Sequence, residues 1–579
     1  MPGSPTASPG ANRVLEVHSY GAFRSEGRLP QMTRHRGWLA ALAALALIAV
    51  GSGCGSNSSS KPGSSGVLKI GAVGGVDSLN PFNLVNLDSY TAQQYVYPFL
   101  VQFDAQLKPA PYFGKSWTFS PDGRTLTFHT VAGAKWSDGR PLTAADAAFT
   151  INTIVHYQTG ATALLGTQVA GIESVTATDP NTLVIRYKEP SAAALSNLQQ
   201  IPILPEHVWK RFATGKGDAL KSHQAAPPDG VYGGPFVVTK WKKDAATLFA
   251  RNPHWWGDQQ PSISGWGIEV FGNPDAMMTA LNQGEIDLAE AVPATAASAA
   301  VKNDNLVVSQ APPGGLILAL WANANPKKKD HRELLDPNVR EALTLAVDRD
   351  QINRVAFLGY ARPAGSVIPP SLPGAVSLPV PPLDPQKANQ LLDKAGFRRG
   401  SDGVRVAFGK PMSYPVVVIQ GSGSEDRIFN ILKKSLAAIG IKVTELSQSG
   451  SAAIATLAGS DGKVTSYDMA LATNAPVVDP DFELSQFLCS VIGTQNFSGY
   501  CNPKFDALYA QEGKIIDPAK RNAIIGQMQR LVYADNGWIP LNYESIVSAW
   551  RKPWTGFVPS VAGPLNAYSV ATLLSVHRG

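Results

Sequence analysis

The sequence predicts an α/β protein of two or three lobes, and three observations carry that expectation. A chain of 579 residues and 61.4 kDa exceeds what one hydrophobic core supports. Asp-Pro recurs as a helix opening at Asp336-Pro337, Asp384-Pro385 and Asp517-Pro518, where Asp caps the free N–H groups and Pro occupies the first helical turn. Ile428, Ile431, Leu432 and Leu436 then mark a helical stripe that ends at Gly440 and passes into Ile441-Lys442-Val443. That is an αβ connection, so these helices lie on sheets.

Composition narrows the class. Hydrophobic residues make up 44% of the chain, with 12 Trp and 16 Tyr, which excludes a mostly disordered polymer. Five of the 50 Lys+Arg and two of the 44 Asp+Glu lie in residues 1–53, leaving 45 against 42 and a nearly neutral body. Lys327-Lys328-Lys329 is a short triplet without interleaved aromatics and reads as a solvated loop; no nucleic-acid partner is expected.

The N-terminal region reads as an export signal. Arg34 and Arg36 precede Trp38 to Val50, thirteen mostly apolar residues. A helix of that length spans about 20 Å, short of the roughly 30 Å hydrocarbon core, so cleavage is expected. Residues 1–31 form a polar stretch that export does not need, and translation is expected to start at Met32. Gly51-Ser52-Gly53-Cys54 resembles a bacterial lipobox with Gly51 in place of the usual apolar residue, so Cys54 is expected to be lipidated. Residues 55–66 (GSNSSSKPGSSG) are a flexible tether. Cys489 and Cys501, 12 apart, remain as a pair. In an exported protein they are expected to form a disulfide.

The stretch Leu107 to Thr150 packs local signals without a gap. Trp117, Phe119, Leu126 and Phe128 alternate with polar residues around Ser120-Pro121-Asp122-Gly123, a hairpin. Thr143 with Asp146 has the form of a capping box, opening a helix whose buried face holds Phe149, Ile151 and Ile154. Further on, Val67 to Gly71 and Thr182 to Tyr187 read as strands, and Leu316 to Trp321 as a buried one. Gly284 suits a left-handed helix C-cap.

Enzyme signatures are missing from the sequence. It contains no G-x-S-x-G elbow, no H-E-x-x-H pair and no phosphate loop, and its nine His show no metal spacing. No catalytic residue, metal or cofactor is expected.

The order Lys115-Ser116-Trp117, Ser120-Pro121-Asp122-Gly123, Lys135-Trp136-Ser137-Asp138-Gly139 and Pro141 to Asp146 resembles the bacterial family 5 extracellular solute-binding proteins, the peptide-binding components of ABC importers. Leu79-Asn80-Pro81, Pro205-Glu206-His207, Arg251 to Trp256 and Leu281 to Asp287 continue the resemblance in order. It implies a two-lobed, type II periplasmic-binding-protein-like fold with an extra domain. The implied division is 1–53 signal, 54–66 tether, 67–106 lobe I, 107–235 extra domain, 236–312 lobe I, 313–545 lobe II and 546–579 lobe I.

The resemblance also implies the site. Asp479-Pro480-Asp481 matches a loop that supplies a carboxylate to the peptide ammonium, making Asp479 or Asp481 the anchor; the alternative is that Asp479 only caps a helix. Trp321, Asn323 and Tyr543 are implied cleft residues, of which Trp321 and Tyr543 suit the core better. Gln420-Gly421-Ser422 stands where dipeptide binders carry an Arg for the peptide carboxylate, which gives longer peptides or another solute more weight. The implied protein is a monomeric lipoprotein outside the cytoplasmic membrane that hands peptides to permease subunits. A metal chelate, glycan or siderophore-like compound as solute, or a secreted hydrolase, are the alternatives.

Overall fold

Three β-sheets organise the chain in a computed structural model that describes residues 66–579, apart from 85, 244, 420–422, 461 and 475–477. The expected leader, Cys54, the 55–65 stretch of the tether and the Gln420-Gly421-Ser422 loop lie outside the described residues. Residues 62–579 belong to one unit.

The first sheet has seven strands, in the order Leu306–Gln310, Val547–Arg551, Leu288–Ala289, Val67–Ala72, Gly265–Val270, Ala246–Arg251 and Phe236–Lys242. Three distant parts of the chain therefore build it. The second has six, in the order Ala361–Pro363, Ile539–Glu544, Leu316–Ala322, Met469–Asn474, Ser413–Ile419 and Lys442–Gln448. Leu316–Ala322 is buried along almost its whole length, as its unbroken apolar run requires.

The third sheet has four strands, and the stretch 107–150 supplies its hairpin. Gly114–Phe119 pairs with Thr125–Thr130 around the turn, where Gly123 takes a φ of 68°. Leu126 and Phe128 are fully buried. Thr143 and Asp146 form the capping box, with Thr143 N–H donating to Asp146 Oδ2 at 2.9 Å. Of the helix's expected inward face, Ile151 and Ile154 are buried and Phe149 is half-buried.

The Asp-Pro helix starts behave as their chemistry dictates. Asp336, Asp384 and Asp517 each accept a backbone N–H of the first turn, and Gly284 is a left-handed C-cap. The lysine triplet departs from its expected solvated loop: Lys328 is buried and pairs with Asp468 Oδ1 at 2.8 Å and the Tyr467 carbonyl at 2.6 Å. Charge count alone cannot reveal a lysine that a neighbouring strand end neutralises. No described helix is long and apolar enough to cross a membrane.

Candidate functional site

Strand directions locate the crevice. In the first sheet, Gly265–Val270 and Leu288–Ala289 run parallel to Val67–Ala72. Leu306–Gln310 joins that direction through its antiparallel partner Val547–Arg551. Gln310 therefore leaves the sheet on the edge where the parallel strands end. In the second sheet Ser413–Ile419 is parallel to Met469–Asn474, and Leu316–Ala322 runs against them, so Leu316 enters on the edge where those strands end. The carboxyl ends of both sheets thus lie toward the crossings, where open α/β sheets bind ligands.

Two crossings join the sheets side by side. Ala311 N–H donates to the Ile546 carbonyl at 2.9 Å, and Gly314 N–H to the Glu544 carbonyl at 3.0 Å. Gln310 adds a side-chain bond to Ser545 Oγ at 3.1 Å. Two short adjacent connections are the geometry of a hinge.

The crevice edges are acidic. Asp88 accepts from Gly75 N–H at 2.6 Å, and Asp77 from Asn86 N–H at 2.9 Å and Ser89 Oγ at 2.6 Å. Glu290, just past Leu288–Ala289, is pushed up to about 8, mainly by burial, with the Leu565 N–H opposing and Asp88 adding. Glu544 at the second crossing is pushed up to about 7 by burial and by Glu425. Both retain part of their accessible surface, as groups at the bottom of a crevice do. Among the described residues no group of three His, Cys, Asp or Glu is placed to hold a metal.

The residues nominated from sequence fall into the second sheet's surroundings. Trp321 is 6% exposed and lies 6.4 Å from Trp538; its indole N–H has no partner. Asn323 is fully buried and donates to the Val464 and Tyr467 carbonyls at 3.0 and 2.8 Å while accepting from Asn325 N–H. It ties two loops together. The Tyr543 hydroxyl donates to the Ser366 carbonyl at 2.7 Å and accepts from Ser366 N–H at 2.9 Å. These three side chains are occupied with packing and internal bonds.

Asp479 is likewise committed. It caps the helix Pro480–Ser485 through Asp481 N–H, and both its oxygens bind Arg521. Arg521 Nε also reaches the fully buried Glu512 at 2.7 Å. Asp481 faces the Tyr509 hydroxyl and is raised by burial, with Asp479 adding. Three carboxylates therefore surround one guanidinium. Cys489 and Cys501 are joined as a disulfide just beyond this cluster.

Sequence reasoning missed Glu290, Glu544 and Arg521. Glu290 had a signal, a lone acid inside the apolar run Leu288 to Val292, a setting where charge is seldom left without purpose. Arg521 had none: its partners sit 9 and 42 residues away.

A two-lobed α/β scaffold with a hinge and a crevice at the strand ends is the architecture of solute-binding proteins. The chain belongs to the bacterial extracellular solute-binding proteins, family 5, whose middle-region model matches residues 108–494. Protein XP55 of Streptomyces lividans is 28% identical over 473 residues, covering 81% of this chain and 82% of that protein. The glutathione-binding protein GsiB of Escherichia coli K12 is 26% identical over 493 residues, covering 83% and 89%. The oligopeptide-binding protein AppA from Bacillus subtilis, solved with a nonapeptide, superposes with a TM-score of 0.74 at 21% identity, over 90% of this chain and all of that one. The two-lobed fold follows from that likeness.

Proposed function

We propose that this chain captures peptides outside the membrane and delivers them to the permease of an ABC importer, without catalysing a reaction on them. The observation that carries this reading is the crevice, bounded by the carboxyl ends of both sheets and spanned by two hydrogen-bonded crossings. Closure of such a crevice sequesters a solute, and the solute selects the closed state by its extra contacts there. Relatives that bind glutathione and a nonapeptide support a peptide as the cargo.

On sheet membership we assign lobe I to residues 67–106, 236–312 and 546–579, the extra domain to 107–235 and lobe II to 313–545. Asp481, whose carboxylate lies outside the bidentate Arg521 pair, is the remaining ammonium anchor in the Asp479–Asp481 loop. Export and lipidation at Cys54 would hold the protein at the outer face of the membrane.

Calorimetry and thermal shift of the full chain against peptide pools test the reading. Saturable stabilisation by peptides is expected. No stabilisation by any peptide, or turnover of the peptides by the purified protein, would overturn it.

A further inference from the structure

On the first lobe's side of the crevice, one carboxylate receives a hydrogen bond from the chain but no cation. Glu290 follows a ladder in which Leu288 faces Trp550 and Ala289 faces Ala549, so the next rung sets Glu290 opposite Ser548. Opposed residues of a ladder share a face. Gly563, with a φ of +87°, closes over them: a methyl group placed on it would lie 3.7 Å from Glu290 Oε1 and 3.8 Å from Ser548 Oγ. The two oxygens border the same point.

Their bonding is incomplete in complementary ways. Glu290 Oε1 accepts from Leu565 N–H at 2.9 Å, and no described donor reaches Oε2. Ser548 is 1% exposed, and its hydroxyl has no hydrogen-bond partner. No Lys, Arg or His among the described residues pairs with Glu290; the charged neighbour that acts on it is Asp88, of the same sign. A buried hydroxyl and a desolvated carboxylate without a counter-charge are each costly. Beside Ser548 lies a cavity of about 20 Å³, bordered by Ser309, Ile546, Trp550, Phe557, Ser560 and Gly563, which admits a single water-sized group.

We infer that Glu290 and Ser548 form a subsite for a side-chain ammonium group of the solute, of the kind a lysine carries. This rests on the importer reading and names the chemistry of its cargo. An ammonium has three donors on a compact charge, enough for Glu290 Oε2 and Ser548 Oγ together. A guanidinium fits less well, because it is a broad planar fork and the cavity beside Ser548 admits a single water-sized group.

The experiment compares trilysine with trinorleucine, which keeps the terminal ammonium and the chain length but lacks the side-chain charge. Calorimetry is run at pH 9, where Glu290 is ionised and a lysine ammonium is still charged, on the full-length protein and on its Glu290→Gln and Ser548→Ala variants. Trilysine should bind the wild type at least ten-fold tighter than trinorleucine. Glu290→Gln should abolish most of that preference, and Ser548→Ala should cut it several-fold. A role of Glu290 confined to holding Leu565 would leave the preference between the peptides intact. Equal binding of the two peptides, or a preference that survives both variants, overturns the subsite while leaving peptide capture standing. Binding of neither peptide overturns the subsite as well, and the broader pools then decide the importer reading separately.

Discussion

Arg521 grips Asp479 through both terminal nitrogens, each at 2.8 Å, while its Nε holds Glu512 at 2.7 Å. One of the two carboxylates that sequence nominated as a ligand anchor thus already has a cation. Geometry of this bidentate kind is among the stronger ion pairs, and its loss strands a partly buried charge. The turn after Glu512 also meets the segment that follows the strand Thr182–Tyr187, where Ala192 N–H donates to the Gly513 carbonyl at 2.9 Å and Lys514 lies 3.7 Å from Glu189.

The first prediction separates strut from anchor. Arg521→Ala leaves Asp479, Asp481 and Glu512 facing one another without a cation, a loss on the order of 3–5 kcal/mol for a buried pair. Asp479→Asn should lower the melting temperature less, and should leave peptide affinity within about three-fold of wild type. A ten-fold affinity loss in Asp479→Asn, measured well below its melting point, would restore Asp479 as the anchor.

A second prediction follows from Glu290. Its folded-state pKa, pushed up to about 8, lies above the ordinary carboxyl value, so the folded state holds a proton that the unfolded chain has released. Stability from this group is present below the ordinary value and is lost as pH rises toward 8. Asp88, on the helix Leu87–Val96, is the charged group that acts on it, and Glu290 in turn raises the Tyr95 hydroxyl of the same helix. Glu290→Gln mimics the protonated form. Without solute it should match the wild type at pH 5 and melt about 1–3 °C higher at pH 9. An equal gap at both pH values would show that Glu290 does not titrate as described.

The disulfide gives a third. Cys489–Cys501 closes a loop of 12 residues in sequence separation, for which the chain-entropy account assigns about 3 kcal/mol. Paired substitution of both cysteines by Ser should lower the melting temperature by several degrees. Reducing agent should do the same to the wild type and nothing to the variant.

What the sequence made legible was local. The Ser120–Gly123 hairpin, the Thr143–Asp146 capping box and the Asp-Pro starts each depend on residues within a few positions, so their chemistry shows in a short window. The crevice is different in kind. Gln310 and Leu316 meet Glu544 to Val547 across more than 200 residues, and Glu290 finds Ser548 and Leu565 across comparable distances. No spacing rule reports such pairings. Family resemblance reached the fold correctly because ordered motifs encode topology; of the cleft residues it implied, Asn323 and Tyr543 bond to backbone groups of the chain, while the Trp321 ring packs near Trp538 and its indole N–H has no partner.

The last prediction concerns the hinge. Gly314 has a φ of +128°, a region closed to side chains, and a methyl group there would lie 2.5 Å from Ser371 Oγ and 2.6 Å from Pro369 Cβ. Its N–H meanwhile holds the Glu544 carbonyl of the second crossing. Gly314→Ala must therefore shift one crossing against the other, with backbone strain of about 1–3 kcal/mol. The expected result is a lower melting temperature and a larger radius of gyration by small-angle scattering, because a displaced crossing no longer aligns the two sheets for closure. Peptide should restore the wild-type radius only at higher concentration, since closure then draws on binding energy. An unchanged radius and melting temperature in Gly314→Ala would show that the two crossings move independently and that closure pivots elsewhere.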